Sequence, residues 1–190
     1  MGDLVEQILY YPNGACKARF GTKEGKLHGP STFYAPSGKI LATSTYEEGL
    51  QVGEAHFFSL SGMREKLERY QAGRKHGLQE AWYEDGSIRS RMEYEDGSLH
   101  GNVELFWVSG KPKRVCSYVQ HQKEGWDRIW DAVGRLLYEG KFSSNRPIGL
   151  HRYFIDGMLS KEWHYNEMGH CKKRAWDREG VLICEEEKHA

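Results

Sequence analysis

The sequence predicts an all-β fold: an elongated single-layer antiparallel sheet of consecutive β-hairpins. Three observations predict it. Glycine recurs with a 24-residue period at Gly14, Gly38, Gly62, Gly86, Gly110 and Gly134, and with a step of 23 at Gly157 and Gly180. Aromatic residues keep the same period, and the segments between the glycines carry no helical apolar stripe.

The turns come first. The stretch YEDGSIRSRMEYEDGSLHG, residues 83–101, holds the same pentapeptide twice. Asp-Gly marks a tight reversal because the turn needs positive φ, which glycine adopts without a Cβ clash. A second glycine column runs Gly25, Gly49, Gly73 and Gly97 and continues as His121, Asn145 and Met168. His and Asn tolerate the left-handed region better than most residues. Met168 does not, and Gly169 beside it is the expected substitute. A third column, Gly29, Gly53, Gly77, Gly101, Gly125 and Gly149, breaks at Lys172.

The strands follow. Four residues before each first-column glycine stand Tyr10, Tyr34, Phe58, Trp82, Phe106, Trp130, Tyr153 and Trp176, and eight after the glycines from Gly38 to Gly157 stand Tyr46, Tyr70, Tyr94, Tyr118, Phe142 and Tyr165, with Thr22 the exception after Gly14. Each repeat therefore supplies two strands, each with an aromatic, for about fifteen strands in all. The strand entering the first glycine alternates the aromatic column and Thr32, His56, Glu80, Glu104 and Arg128 on one face with Phe33, Phe57, Ala81, Leu105 and Ile129 on the other. The phase is unbroken by any Pro/Ser-rich linker. The expected organisation is one array over 1–190, about seven repeats over 8–184 with a tail at 185–190.

The units WYEDGSIRSRMEYEDGSLHG and FFSLSGMREKLERYQAGRKHG resemble the MORN repeat, most closely the bacterial MORN-variant form. The resemblance implies a non-enzymatic protein-binding module. For the variant form it implies a bacterial immunity or antitoxin protein whose partner is a cognate toxin domain. The alternative it implies is a scaffold associating with membrane lipid or cytoskeletal partners.

Composition narrows the classes. Lys and Arg number 27 against 27 for Asp and Glu, so no general field draws the chain to nucleic acid or an anionic membrane. The opening residues carry no apolar run of signal-peptide type, and a cytoplasmic location is expected. The four cysteines form no CxxC, and free thiols are expected over a pairing of Cys171 with Cys184. His28, His76 and His100 precede third-column glycines and read as turn residues rather than metal ligands. No local signature nominates a catalytic set, and neither metal nor cofactor is expected.

Binding residues are sought where a large side chain stands in a column that does not demand one. Trp107 shares its column with Ala35 and Ser59, Trp126 with Pro30 and Asn102, Tyr138 with Ala42 and Ser90, and Trp163 with Ser44 and Cys116. These four, together with Tyr83, Arg89 and Arg91, are the expected partner-binding residues.

Overall fold

The computed structural model describes residues 2–188. Among them are seventeen β-strands and no helix, and every pairing is antiparallel between successive hairpin strands. Two compact units, Met1–Ser98 and Leu99–Ala190, divide the chain.

The first unit holds β1 (Val5–Tyr10), β2 (Cys16–Lys23), β3 (Lys26–Tyr34), β4 (Ile40–Glu47), β5 (Leu50–Phe58), β6 (Arg64–Gln71), β7 (Arg74–Lys75), β8 (Gly77–Trp82) and β9 (Ile88–Glu95). The second holds β10 (Ser98–Phe106), β11 (Pro112–Val119), β12 (Gln122–Trp130), β13 (Leu136–Ser143), β14 (Arg146–Ile155), β15 (Met158–Tyr165), β16 (Cys171–Trp176) and β17 (Leu182–Lys188). The count exceeds fifteen partly because one entering strand is split into β7 and β8 at His76, just ahead of Gly77 (φ 76°).

Two turn types alternate. At the first glycine column the chain closes a five-residue loop: in the 35–39 turn the amide of Ala35 donates to the Lys39 carbonyl at 2.8 Å and that of Gly38 to the Ala35 carbonyl at 2.8 Å. At the second column two residues reverse the chain, both with positive φ, as in Asp96 (46°) with Gly97 (87°). His121 (64°) and Asn145 (66°) occupy the glycine's place in that turn, as their chemistry predicts. His121→Gly is therefore expected to be neutral or stabilising by up to about 1 kcal/mol, whereas Gly110→Val, at φ 79°, is expected to cost about 1–3 kcal/mol. Urea melts of the two variants check both signs.

The last repeats depart from this scheme. Met168 is not left-handed; Gly169 is (φ 83°), in a five-residue turn where the Asn166 carboxamide oxygen accepts from the amides of Met168 and His170, both at 3.0 Å. The step to Gly157 shortens because Asp156 (φ 52°) and Gly157 (84°) make a two-residue turn where a five-residue loop is the rule. Register then pairs Tyr138 with Tyr153 and Phe154 with Leu159, so Phe154, not Tyr153, continues the aromatic column. The expected tail is strand as far as Lys188, because Glu185, Glu186 and Glu187 lie opposite Arg174, Lys173 and Lys172; residues 189 and 190 fall outside the described residues. Cys184 lies opposite Ala175 and Cys171 opposite Lys188, and all four cysteines are free thiols.

The buried residues form a line rather than a ball. In the first unit Ser31, Ser44, Ala55 and Gln79 lie along one face. In the second, Val103 pairs with Cys116, Cys116 with Asp127 and Asp127 with Gly140, and His151 pairs with Trp163 on the same face. Small or polar residues suit this line because side chains from neighbouring strands close over it.

Candidate partner-binding surfaces

The third glycine column bends each entering strand and leaves a carbonyl of the preceding strand without a ladder partner. In two repeats a buried side chain two residues after that glycine meets it. The Gln79 amide donates to the Arg69 carbonyl at 3.1 Å, and three repeats later His151 Nε2 donates to the Lys141 carbonyl at 2.8 Å. Burial holds His151 below the ordinary histidine range, so the ring is neutral and its Nδ1 accepts from the Tyr138 hydroxyl at 2.9 Å. Asp127, in the same column and 2 % exposed, accepts a two-pronged contact from Arg114 (2.8 and 2.7 Å) and one from Lys123 (2.6 Å). Burial would raise its carboxyl, but the Arg114 and Lys123 bonds outweigh it and hold the group below its ordinary value.

The opposite face of the second unit carries alternating charges at facing positions. Glu139 bridges Arg128 at 3.4 Å and Arg152 at 3.5 Å, and Arg152 reaches Glu162 at 3.1 Å. Beside this ladder lies an apolar strip: Trp126 opposite Lys141, Lys141 opposite Ile148, and Leu150 opposite His164. Trp126, Ile148 and Leu150 are 38, 39 and 38 % exposed. The Arg128 guanidinium and the Lys141 ammonium stack on the Trp126 ring, 4.6 and 5.0 Å from its centroid. A cleft of about 220 Å³ adjoins, lined by Leu150, Glu162, His164, Lys172 and Arg174.

The expected binding residues are not all alike in this setting. Trp126 is exposed. Trp107 donates its indole N–H to the Trp130 carbonyl of the next hairpin at 3.2 Å, the role that Tyr11 fills by donating to the Tyr34 carbonyl at 2.8 Å. Tyr138 packs on Tyr153 with ring centroids 5.0 Å apart, and Trp163 on Tyr153 at 4.9 Å. Tyr138 and Trp163 therefore lie on the His151 face, away from Trp126. In the first unit Tyr83 and Arg89 line one groove, while Arg91 turns to Glu80, 3.6 Å away.

The histidines before third-column glycines serve the fold. His28 Nδ1 accepts from the Glu48 amide and His76 Nδ1 from the Asp96 amide, each at 3.5 Å, and Glu124 in the same column accepts from the Ser144 amide at 2.9 Å. Among the described residues no group of three or more His, Cys, Asp or Glu is placed to hold a metal ion.

A protein-family model described as the MORN repeat variant matches residues 27–48 and 75–96. The two segments start two periods apart and cover β3 with β4 and β7 through β9, so the match falls on the hairpin repeat itself. No curated protein matches the chain.

Proposed function

We propose that this chain is a non-enzymatic protein-binding module whose partner docks on the ladder face of the second unit, with Trp126 as the central anchor. One observation carries the reading: a half-exposed tryptophan with two cations stacked on its ring shares a sheet face with a half-exposed isoleucine and leucine, Lys141 standing between Trp126 and Ile148. Aromatic and arginine side chains dominate the energetics of protein interfaces, and a ring held by flanking cations loses little freedom when a partner covers it. MORN repeats in general serve as protein- or lipid-binding modules.

The finer reading is an immunity or antitoxin protein, bacterial and cytoplasmic, that covers a cognate toxin domain. Of the expected binding residues in the second unit, Trp126 is the one on this face; Tyr138 and Trp163 lie on the His151 face and are not contacts of this surface. The second reading, a lipid-associated scaffold, has no surplus of positive charge to favour it. Among the described residues no helix is long and apolar enough to cross a membrane.

The experiment is a calorimetric titration with the protein domain encoded beside this chain's gene, repeated with Trp126→Ala. The variant is expected to bind about thirtyfold or more weakly, a loss of roughly 2 kcal/mol or above, with its melting temperature preserved because no buried contact depends on the ring. Unchanged affinity would move the interface off this face. Salt-sensitive sedimentation with anionic vesicles, equal in wild type and variant, would favour the scaffold.

A further inference from the structure

We propose that the groove between the turns after β5 and β8 in the first unit takes an acidic, extended segment of a protein partner. This rests on the protein-binding reading and names a second contact with its own chemistry. The groove has a volume of about 460 Å³ and is lined by Met63, Arg64, Lys66, Trp82, Tyr83 and Arg89 among others. Its floor comes from two successive five-residue turns, closed by Ser59 donating to the Met63 carbonyl at 2.9 Å and Tyr83 to the Ser87 carbonyl at 2.8 Å.

The cations here face no carboxylate across the strands. Several others in the sheet do: Arg91 faces Glu80, Arg128 faces Glu139, and Arg152 faces Glu162. Lys66 instead lies between Phe57 and Ala81, and Arg64 lies opposite Phe58. Arg64 rests its guanidinium 5.3 Å from the centre of the Trp82 ring, which orients it without neutralising it. Among the described residues Lys66, Arg64 and Arg89 make no ion pair within 4 Å, and Lys66 acts on Glu68 only at longer range. Two exposed carboxylates, Glu65 and Glu84, share the groove, so the cations outnumber them three to two.

The site is longer than one anion needs. Lys66 and Arg89 also line an adjoining groove of about 190 Å³ beside Gln79 and Tyr94. The acidic residues of that second groove are engaged: Glu68 accepts from Lys75 at 2.8 Å and from Tyr70 at 2.6 Å, and Glu80 lies between Arg69 and Arg91, each at 3.6 Å. The uncommitted charge is thus cationic on balance, three to two in the first groove, with aromatic rings beside it. Carboxylates spaced along an extended strand match that pattern. A nucleic acid or a lipid surface calls for a broad positive field, and the chain's charges balance at 27 and 27.

The test is fluorescence anisotropy of the whole chain with a short labelled peptide rich in Glu and Tyr, at low and raised salt. Wild type is expected to bind, more weakly as salt rises. The triple variant Arg64→Gln, Lys66→Gln, Arg89→Gln is expected to lose about tenfold or more, with an unchanged circular dichroism spectrum. Arg19→Gln, which lines neither groove and pairs with Glu6, is expected to bind like wild type, and a peptide with Lys in place of Glu is expected not to bind. Equal binding by the triple variant and wild type, no binding by wild type, or tighter groove-dependent binding of phosphatidylserine vesicles or single-stranded DNA would each overturn the proposal. Trp126→Ala separates the two readings: it is expected to keep the peptide while losing the protein partner. Loss of the peptide in Trp126→Ala would overturn the assignment to this groove.

Discussion

Gly140→Ala is expected to destabilise the second unit by about 3 kcal/mol, near the upper end for an overpacked interior. Gly140 is not left-handed, so backbone strain plays no part. The cost comes from space: a Cβ built there would lie 2.5 Å from the Tyr138 hydroxyl and would also overlap His151 Nδ1. Neither atom can yield freely. The Tyr138 hydroxyl is bonded to that same ring nitrogen, and the other nitrogen is tied to the Lys141 carbonyl. Urea unfolding of Gly140→Ala beside Gly140→Ala/His151→Ala reads the effect. The double variant should be less destabilised than the sum of the two single changes, because one cavity relieves the other's overlap. Strict additivity would show that the alanine meets some other obstacle.

Asp127→Asn is expected to cost about 3 kcal/mol, the lower end for breaking a buried ion pair, because Arg114 remains one-third exposed and keeps some hydration. The substitution preserves shape but leaves Arg114 and Lys123 without their common counter-charge. It also changes the acid limb of the stability curve. The folded-state carboxyl lies below its unfolded value, so its contribution is complete above the ordinary aspartate range and is lost as pH falls through the folded value. In Asp127→Asn that share of the acid loss should be gone. Urea midpoints measured from neutral pH into the acid range check both the size and the slope, and a wild-type slope in the variant would contradict the assignment.

The periodic part of the fold was readable because glycine reports backbone geometry directly. A residue that must be left-handed leaves a mark at every repeat, and His121 and Asn145 confirm that the mark survives substitution by tolerant residues. The buried line was not readable. Its column holds Ser31, Ala55, Gln79, Val103, Asp127 and His151, which share no chemistry. What unites them is a bulged backbone that leaves a carbonyl to be met or a gap to be left small. One signal was available: Gly21 and Gly140 stand outside all three columns and away from any turn, and a glycine within a strand marks space. A Cβ at Gly21 would overlap the His28 carbonyl oxygen.

The binding residues divide along similar lines. Trp126 stood out as a column departure and is exposed, since its position follows the bulge glycine and points away from the buried line. Trp107 and Tyr138 departed from their columns equally, but a carbonyl on the next hairpin and a histidine thirteen residues on give them work within the fold. Such contacts join neighbouring repeats and leave no trace in a single column. The charge ladder shows the same limit, because Arg128, Glu139, Arg152 and Glu162 become a series only once register sets them opposite one another.

The central claim, that a protein partner covers the ladder face of the second unit, is tested most directly by hydrogen exchange of the chain with and without the protein encoded beside its gene. Slowed exchange is expected in β12 through β15, the strands that carry Trp126, Lys141, Ile148, Leu150 and His164. A complex that forms while exchange in those strands is unchanged, with protection confined to other parts of the chain, would contradict it.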